Sequence, residues 1–243
     1  MSNNEQSDKE EVTENIKILS NFVGLIEIAR RNTREEYKKK ESKEECILRI
    51  NLDSLFARFA EQTKDKIEII DENTSFQLTI SASYIRTHFI ISDLIMDGHL
   101  VEATVLIRKQ LEALCRLHEL DSKPLSKLLK KTPNVKNILK GKSGTVYGIL
   151  SEIAHSSSHR IGSLLDTIEK NDKIAISLLP TYSVHSHGAW DLDTFVNIYY
   201  LHWQFEKFKI WYPKKSFDIE KKYLALSIQI AIEEGVIQVD KNQ

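Results

Sequence analysis

The rarity of glycine and proline constrains this chain more than any other feature. Only 8 Gly and 4 Pro occur in 243 residues. Sandwiches and barrels need a turn about every 8–12 residues, whereas long helices need few turns. The sequence therefore predicts an all-α protein, and its length suits one main domain.

Charge and cysteine content narrow the function classes. Lys and Arg number 34 against 35 Asp and Glu, so the chain lacks the overall basic charge of many nucleic-acid-binding proteins; a local basic patch stays open. Cys46 and Cys115 form no CxxC pair or disulfide framework. Residues 1–11 lack the apolar segment of a signal peptide, and no apolar run approaches about 20 residues. We therefore expect a cytoplasmic protein with no membrane contact.

The spacing of apolar residues predicts where the helices lie. Six are predicted, over residues 13–40, 44–70, 75–96, 99–120, 190–211 and 217–234. The first two are expected to form an antiparallel pair, preceded by a disordered tail at 1–12. Residues 123–143 are predicted to be short helices or loops. A further helix begins near Thr145 and extends beyond His155, and residues 174–182 fit either a short strand or an extended loop.

The predicted helix 99–120 carries two charges at the edge of its apolar face. Arg108 and Glu112 are four residues apart and so share one side of the helix. A partly buried charge is costly unless it is paired. Either the two pair within the helix, or Glu112 pairs with Arg116, or a polar group from another helix completes the arrangement.

The predicted helix after Thr145 has an unusual polar face. Tyr147, Ser151 and His155 lie on one side of it together with Ser158 and Gly162. Small uncharged polar residues suit either close helix packing or the wall of a pocket. His155 is the one residue of a common acid–base type on this face, and it is either a functional group or an ordinary hydrogen-bonded histidine.

Metal and phosphate motifs are incomplete. His155 and His159 are four apart, and residues 185–187 form an HxH, but the sequence lacks HExxH and suitably spaced partners. Residues 141–143 imitate the end of a phosphate-binding loop, yet Lys136 stands where glycine is required. We expect no metal or cofactor. The lysines around this segment either attract phosphate or form a solvated loop.

Two stretches match known helical motifs in order. The first is "DGHLVEATVLIRKQLEALCRL", with Gly98, Ala103, Leu106, Arg108 and Glu112. The second is "TVYGILSEIAHSSSH", with Tyr147, Leu150, Ser151 and His155. Together they resemble a bacterial family of unknown function, itself similar to the HEPN (higher eukaryotes and prokaryotes nucleotide-binding) superfamily. The resemblance covers about residues 74–165.

The resemblance implies a HEPN-like antiparallel helical bundle, often dimeric, within a single domain at 13–243. Residues 74–165 would be its core, flanked by an N-terminal helical hairpin and a C-terminal helical addition at 170–243. It also implies an effector of phage defence or a toxin system that binds RNA or a nucleotide, and an antitoxin or other partner protein. The implied catalytic residues are Arg108, Glu112 and His155, and the implied substrate-binding residues are Tyr147, Ser151 and His159.

One departure from the superfamily leaves two hypotheses. Its catalytic ribonucleases carry Arg-x4-6-His within one helix, and no arginine here precedes a histidine at that spacing. Under the first hypothesis Arg108 and His155 meet in space, as phosphate binder and proton carrier of a metal-independent ribonuclease. Under the second, the polar cluster fixes helix register in a non-catalytic scaffold or protein-interaction module. Solvent access to the cluster would favour the first.

Overall fold

The computed structural model describes residues 3–62, 64–65, 67, 71–135, 143–157, 160–165, 168–170, 173–175 and 177–237. For 3–10, 143–146, 168–170 and 173–175 it describes the backbone alone. The fold is all-α, as predicted. Its helices are α1 (Asn3–Lys40), α2 (Lys43–Gln62), α3 (Glu72–Met96), α4 (Leu100–Leu120), α5 (Ser143–Ala154), α6 (Arg160–Leu164), α7 (His185–Trp211) and α8 (Asp218–Glu233).

Two minor elements complete the architecture. A 3₁₀ turn spans Leu125–Lys127, and two strands, β1 (Ile168–Lys170) and β2 (Lys173–Ala175), pair antiparallel. The segment left open between strand and loop therefore contains the end of β2, and residues 177–184 are irregular. Among the described residues, no helix is both long enough and apolar enough to cross a bilayer.

Helix α4 is the centre of the bundle. It packs against α3, α5, α6 and α7, and the face predicted to be its core side is almost completely buried: Leu100, Ala103, Ile107, Leu111 and Leu114. Because α4 has neighbours on several sides, polar groups at the edges of that face lie between helices. This position places Arg108 and Glu112 against α5.

The turn between α3 and α4 depends on glycine. Gly98 has φ +84°, and a Cβ there would lie 2.5 Å from the backbone oxygen of Thr181. The neighbouring Asp97 carboxylate is buried and accepts hydrogen bonds from Arg30 and Arg34 of α1. The turn therefore joins the α3–α4 hairpin to both α1 and the segment before α7.

Stacked aromatic rings hold α2, α3 and α7 together. The Tyr84 and Tyr200 rings lie 3.7 Å apart and nearly parallel, and Phe56 stacks beside both. Helix α7 begins at His185, earlier than the predicted Trp190. Asp193 therefore lies inside the helix, where it is completely buried.

The predicted N-terminal hairpin is wrong. Tyr37 donates a hydrogen bond to Glu45 near the junction of α1 and α2, but residues 11–25 of α1 are exposed and do not pack along α2. The apolar side of α2 packs instead against α3, α7 and α8, which leaves no face for α1.

Several helix ends differ from their predicted positions. Helix α1 begins at Asn3, within the predicted disordered tail, since no glycine or proline interrupts the residues before Thr13. Helix α2 ends at Gln62 rather than near Ile70. The predicted helix after Thr145 is divided into α5 and α6, with Ser156 in the left-handed region at φ 52°.

Candidate functional site

Four polar side chains meet between α4 and α5. The Arg108 guanidinium donates through Nε to Glu112 Oε1 at 3.1 Å and through Nη2 to the Tyr147 hydroxyl at 3.2 Å. Its Nη1 lies 3.3 Å from Nε2 of His155. The Tyr147 hydroxyl donates in turn to Glu112 Oε1 at 2.7 Å. All three nitrogens of Arg108 are thus directed to named partners.

The end of α5 positions His155. The Ser157 amide donates to the Glu152 carbonyl and the Ser156 amide to the Ile153 carbonyl, which is the Schellman pattern with its left-handed residue at Ser156. His155 is the C-cap of this motif. Its own amide donates to the Ser151 carbonyl at 3.0 Å, so the imidazole projects at the end of α5, towards Arg108.

The Arg108 contact selects one form of His155. A guanidinium nitrogen can only donate, so Nε2 accepts only if it carries no proton. The imidazole in this geometry is therefore neutral, with its proton on Nδ1. The hydrogen bond from Arg108 occupies the Nε2 lone pair, so this neutral imidazole can accept a proton from a substrate hydroxyl once an anion has drawn Nη1 of Arg108 away.

The surroundings hold the other groups in defined charge states. Partial burial acts to lower the pKa of Arg108, but the hydrogen bond with Tyr147 and the charge of Glu112 outweigh it and raise that pKa above its ordinary value. Burial and the hydrogen bond to Glu112 raise the pKa of Tyr147. At neutral pH the site therefore presents a permanent cation and a neutral phenol.

The cluster is accessible to solvent. The Arg108 and Glu112 side chains are 18% and 28% exposed, and His155 is exposed. The Tyr147 ring lies below the guanidinium, 5.2 Å from its carbon to the ring centroid. The arrangement is thus an open surface site in which an anion can approach Arg108 and His155 together.

A cavity of about 290 Å³ lies on the other side of Glu112, between α3 and α4. Its walls include Phe76, Ile80 and Pro133, with Lys109 at the edge. Gln110 also lines it and is 1% exposed; its Nε2 donates to the Tyr84 carbonyl, while its Oε1 has no partner among the described residues. Sequence reasoning missed this cavity, because its walls come from three separate segments.

The remaining predicted site residues have other positions. Ser151 is half-buried one turn before His155 and takes no part in the hydrogen bonds that join the four side chains. His159 lies outside the described residues. Arg116 pairs with Glu119 and donates to the backbone oxygens of Leu128 and Lys131. Glu112 therefore pairs with Arg108, as one of the alternatives foresaw, and not with Arg116.

The histidines considered for a metal have other partners or lie outside the described part. The His187 ring forms two hydrogen bonds: Nδ1 lies 2.8 Å from the Glu45 carboxylate, and Nε2 lies 3.0 Å from the Tyr182 hydroxyl. Over the described ranges, no three His, Cys, Asp or Glu side chains converge into a group that could hold a metal. Lys136 and residues 141–142 of the imperfect phosphate-loop motif are also outside the described residues.

A second polar cluster, absent from the sequence predictions, extends from the half-buried Asp53 into the core. His88 is completely buried, with Nε2 2.8 Å from Asp53 and Nδ1 3.1 Å from the Asn197 amide nitrogen. Asn197 donates to Asp193, and burial raises the pKa of Asp193 to about 7. Since His88, Asn197 and Asp193 have no exposed surface, this cluster holds α2, α3 and α7 together and does not receive a substrate.

Comparison with known proteins does not assign a function to this site. No protein-family model, curated protein or solved structure matches the chain. The resemblance to a HEPN-like family therefore remains an expectation based on the two short motifs.

Proposed function

We propose that this protein is a HEPN-like effector that binds RNA and cleaves it without a metal ion, in phage defence or as a toxin. One observation carries the proposal: Arg108 and His155, from separate segments, lie 3.3 Å apart in a solvent-accessible site. A fixed cation beside a neutral imidazole is the minimal arrangement for phosphoryl chemistry of this kind.

The proposed reaction uses the ribose 2′-hydroxyl as nucleophile. When the phosphate draws Nη1 of Arg108 away from His155, the Nε2 lone pair takes the 2′-hydroxyl proton while the 2′ oxygen attacks the adjacent phosphorus. The bond from phosphorus to the 5′ oxygen breaks, the 5′ oxygen takes a proton from solvent, and a 2′,3′-cyclic phosphate and a 5′-hydroxyl result. Arg108 stabilises the negative charge on the phosphoryl oxygens, and Glu112 and Tyr147 keep its guanidinium in place.

The cavity beside Glu112 offers a place for the base. Its apolar walls match the faces of a heterocycle, and the unpaired oxygen of Gln110 could accept a hydrogen bond from an exocyclic amino group. Lys127, Lys130 and Lys131 are exposed on the loop that leads to Pro133 of the cavity wall. These lysines supply the local positive charge that the whole chain lacks.

The test compares wild type with His155→Ala on total RNA in the presence of EDTA. We expect wild type to produce fragments ending in 2′,3′-cyclic phosphate, detected by mass spectrometry, and His155→Ala to produce none. Its melting temperature should be nearly unchanged, since His155 is exposed. His202→Ala, at an exposed histidine of α7, is the matched control and should cleave like wild type.

A non-catalytic scaffold is the competing function, favoured by the fact that every nitrogen of Arg108 is already engaged. In that case the cluster only fixes α4 against α5. Wild type would then neither cleave RNA nor bind a short oligonucleotide in a fluorescence-anisotropy titration at low salt. Arg108→Ala would lower the free energy of unfolding by about 1 kcal/mol, the value of a lost hydrogen bond.

A further inference from the structure

Helix α1 extends well beyond the body of the protein. It spans Asn3–Lys40, about 57 Å at 1.5 Å per residue. Only its C-terminal part is held: Thr33 and Tyr37 are buried, and Arg30 and Arg34 bind Asp97. Every residue from 11 to 25 is exposed.

The extended part of α1 has an apolar face. Seven large apolar side chains there are 42–62% exposed: Val12, Ile16, Ile18, Leu19, Phe22, Val23 and Leu25. At about 100° per residue they occupy roughly half of the helix circumference. Thr33 and Tyr37, which contact the body, lie on the same side. The face that packs on the bundle therefore continues beyond it, and none of the residues that the structure describes packs on this continuation.

The spacing along this face is that of a helix that pairs with another helix. Val12, Ile16, Leu19, Val23 and Ile26 alternate steps of four and three residues, the repeat of a coiled-coil seam. Arg30, Thr33 and Tyr37 continue the same steps onto the body. Four of these five seam positions, Val12, Ile16, Val23 and Ile26, are β-branched and the fifth is Leu19, so the seam has the apolar residues of a coiled coil between like helices.

The composition of the opposite face argues against a bilayer as the occupant. Between residues 12 and 29 the charged residues are Glu14, Lys17 and Glu27, so the segment carries one cation against two anions. Helices that lie on membranes carry several Lys or Arg on the polar face. A membrane surface, which is usually anionic, would gain little from this segment.

The size of the face suits a second copy. Seven half-exposed apolar side chains present on the order of several hundred Å² of apolar surface, the size of patches that mark interaction sites. Two such faces joined bury on the order of 1,000 Å², the lower limit for a specific interface. A face that pairs with its own copy needs no other partner.

We propose that two copies of this chain associate through the α1 face formed by Val12, Ile16, Ile18, Leu19, Phe22, Val23 and Leu25. The proposal is independent of the ribonuclease activity, since these residues lie on α1 and none of them belongs to the Arg108 site. The α1 helices of the dimer form its interface and shield each other's apolar residues from water.

The test is the mass of the full chain in solution, by light scattering after size exclusion and by sedimentation over about 1–50 µM. Wild type should have twice the mass of one chain. Leu19→Glu with Val23→Glu places two charges in the seam and should raise the dissociation constant by at least about 100-fold. The fold of the body should persist, because residues 11–25 are exposed; tryptophan fluorescence and circular dichroism would check this.

The matched control places the same two charges, at the same spacing, on the polar face. Ser20→Glu with Gly24→Glu should leave the dimer intact, and a Cβ at Gly24 meets nothing within 4 Å. A wild-type protein that is monomeric at 50 µM would overturn the proposal. This holds even if the monomer binds lipid vesicles in a flotation assay, because the apolar face would then bind membranes and not a second copy. The proposal would also be overturned by a dimer that survives the seam charges, or by one that both pairs of substitutions disrupt equally.

Discussion

Arg108 shows how a charge is retained at the edge of an apolar core. Its Glu112 partner lies one turn away on α4, while Tyr147 and His155 come from α5. Because the guanidinium is planar and has donors on several sides, it can bond three partners at once. The result is a cation that is fixed in direction yet 18% exposed on its side chain, which a substrate anion can still reach.

Replacing Tyr147 by Phe should separate the two roles of this ring. The variant keeps the aromatic face below Arg108 but loses the hydroxyl that bridges Glu112 and Arg108. One hydrogen bond is worth about 1 kcal/mol, so RNA cleavage should fall about five- to tenfold. The melting temperature should change by no more than a few degrees. Initial rates on a short RNA, beside a thermal melt, would measure both.

The double variant Tyr147→Phe with Glu112→Gln provides the check on that interpretation. If both side chains act only by holding Arg108, their effects on the cleavage rate should combine to less than the product of the two single effects. Fully multiplicative effects would mean that Tyr147 acts separately from Glu112, and the positioning role assigned to its hydroxyl would be wrong.

The buried Asp193 should give the free energy of unfolding an unusual dependence on pH. Burial raises its pKa from 3.8 to about 7 in the folded protein, so the folded state binds the proton more tightly than the unfolded chain does. The contribution of this group to stability is therefore lost as pH rises from about 4 to about 7 and regained at lower pH. At about 1.4 kcal/mol per pKa unit, the upper limit of the loss is about 4 kcal/mol.

Asp193→Asn should remove this contribution. Chemical unfolding of both proteins at pH 4, 6 and 8 should show the variant gaining stability relative to wild type as pH rises. Glu206→Gln, at an exposed carboxylate on the same helix, should show no such trend. A difference between Asp193→Asn and wild type that stays constant from pH 4 to pH 8 would contradict the raised pKa.

The sequence could identify half of the candidate site and only suggest the other half. The pairing of Arg108 with Glu112 follows from a spacing of four residues on a helix. The contact with His155, 47 residues later, depends on how α5 packs on α4, which local periodicity does not encode. The start of α7 was predicted at Trp190 but lies at His185, because no proline or glycine directly before His185 marks it in the sequence.

At the scale of elements, the C-terminal cap of α5 controls the position of His155. Ser156 adopts φ 52°, a conformation that costs L residues about 1–2 kcal/mol and that glycine adopts freely. Ser156→Gly should preserve the cap and the cleavage rate. Ser156→Val, β-branched and poorly suited to this region, should lower the free energy of unfolding by about 1–2 kcal/mol. It should also slow cleavage, because His155 is displaced.

The comparison of Ser156→Gly and Ser156→Val is made by thermal unfolding and by cleavage assays on the same preparations. Equal rates for the two variants would mean that the cap does not position the imidazole. The sequence did not predict this cap, since a run of three serines contains no glycine to mark the end of the helix. Helix centres such as that of α4 were predictable because apolar spacing persists over several turns, whereas helix ends depend on single residues.

At the scale of the whole molecule, one continuous core joins α2, α3, α4, α7 and α8. The segment 74–165, predicted to resemble the family, and the segment 170–243 share this core: Tyr84 of α3 stacks on Tyr200 of α7. The sequence could give the helices and their apolar faces. It could not show that α2 packs against α7 and α8 and not against α1, since all of these helices have apolar faces.

A shared core predicts a single cooperative unfolding transition. All three tryptophans, Trp190, Trp203 and Trp211, lie in α7, so their fluorescence reports on the C-terminal helices alone, whereas circular dichroism at 222 nm reports on every helix. At one fixed protein concentration, the main transition should have the same midpoint by both methods in a urea titration. Fluorescence that changes at a lower urea concentration than the helical signal would show that residues 170–243 unfold separately, and the single domain would then have to be divided into two.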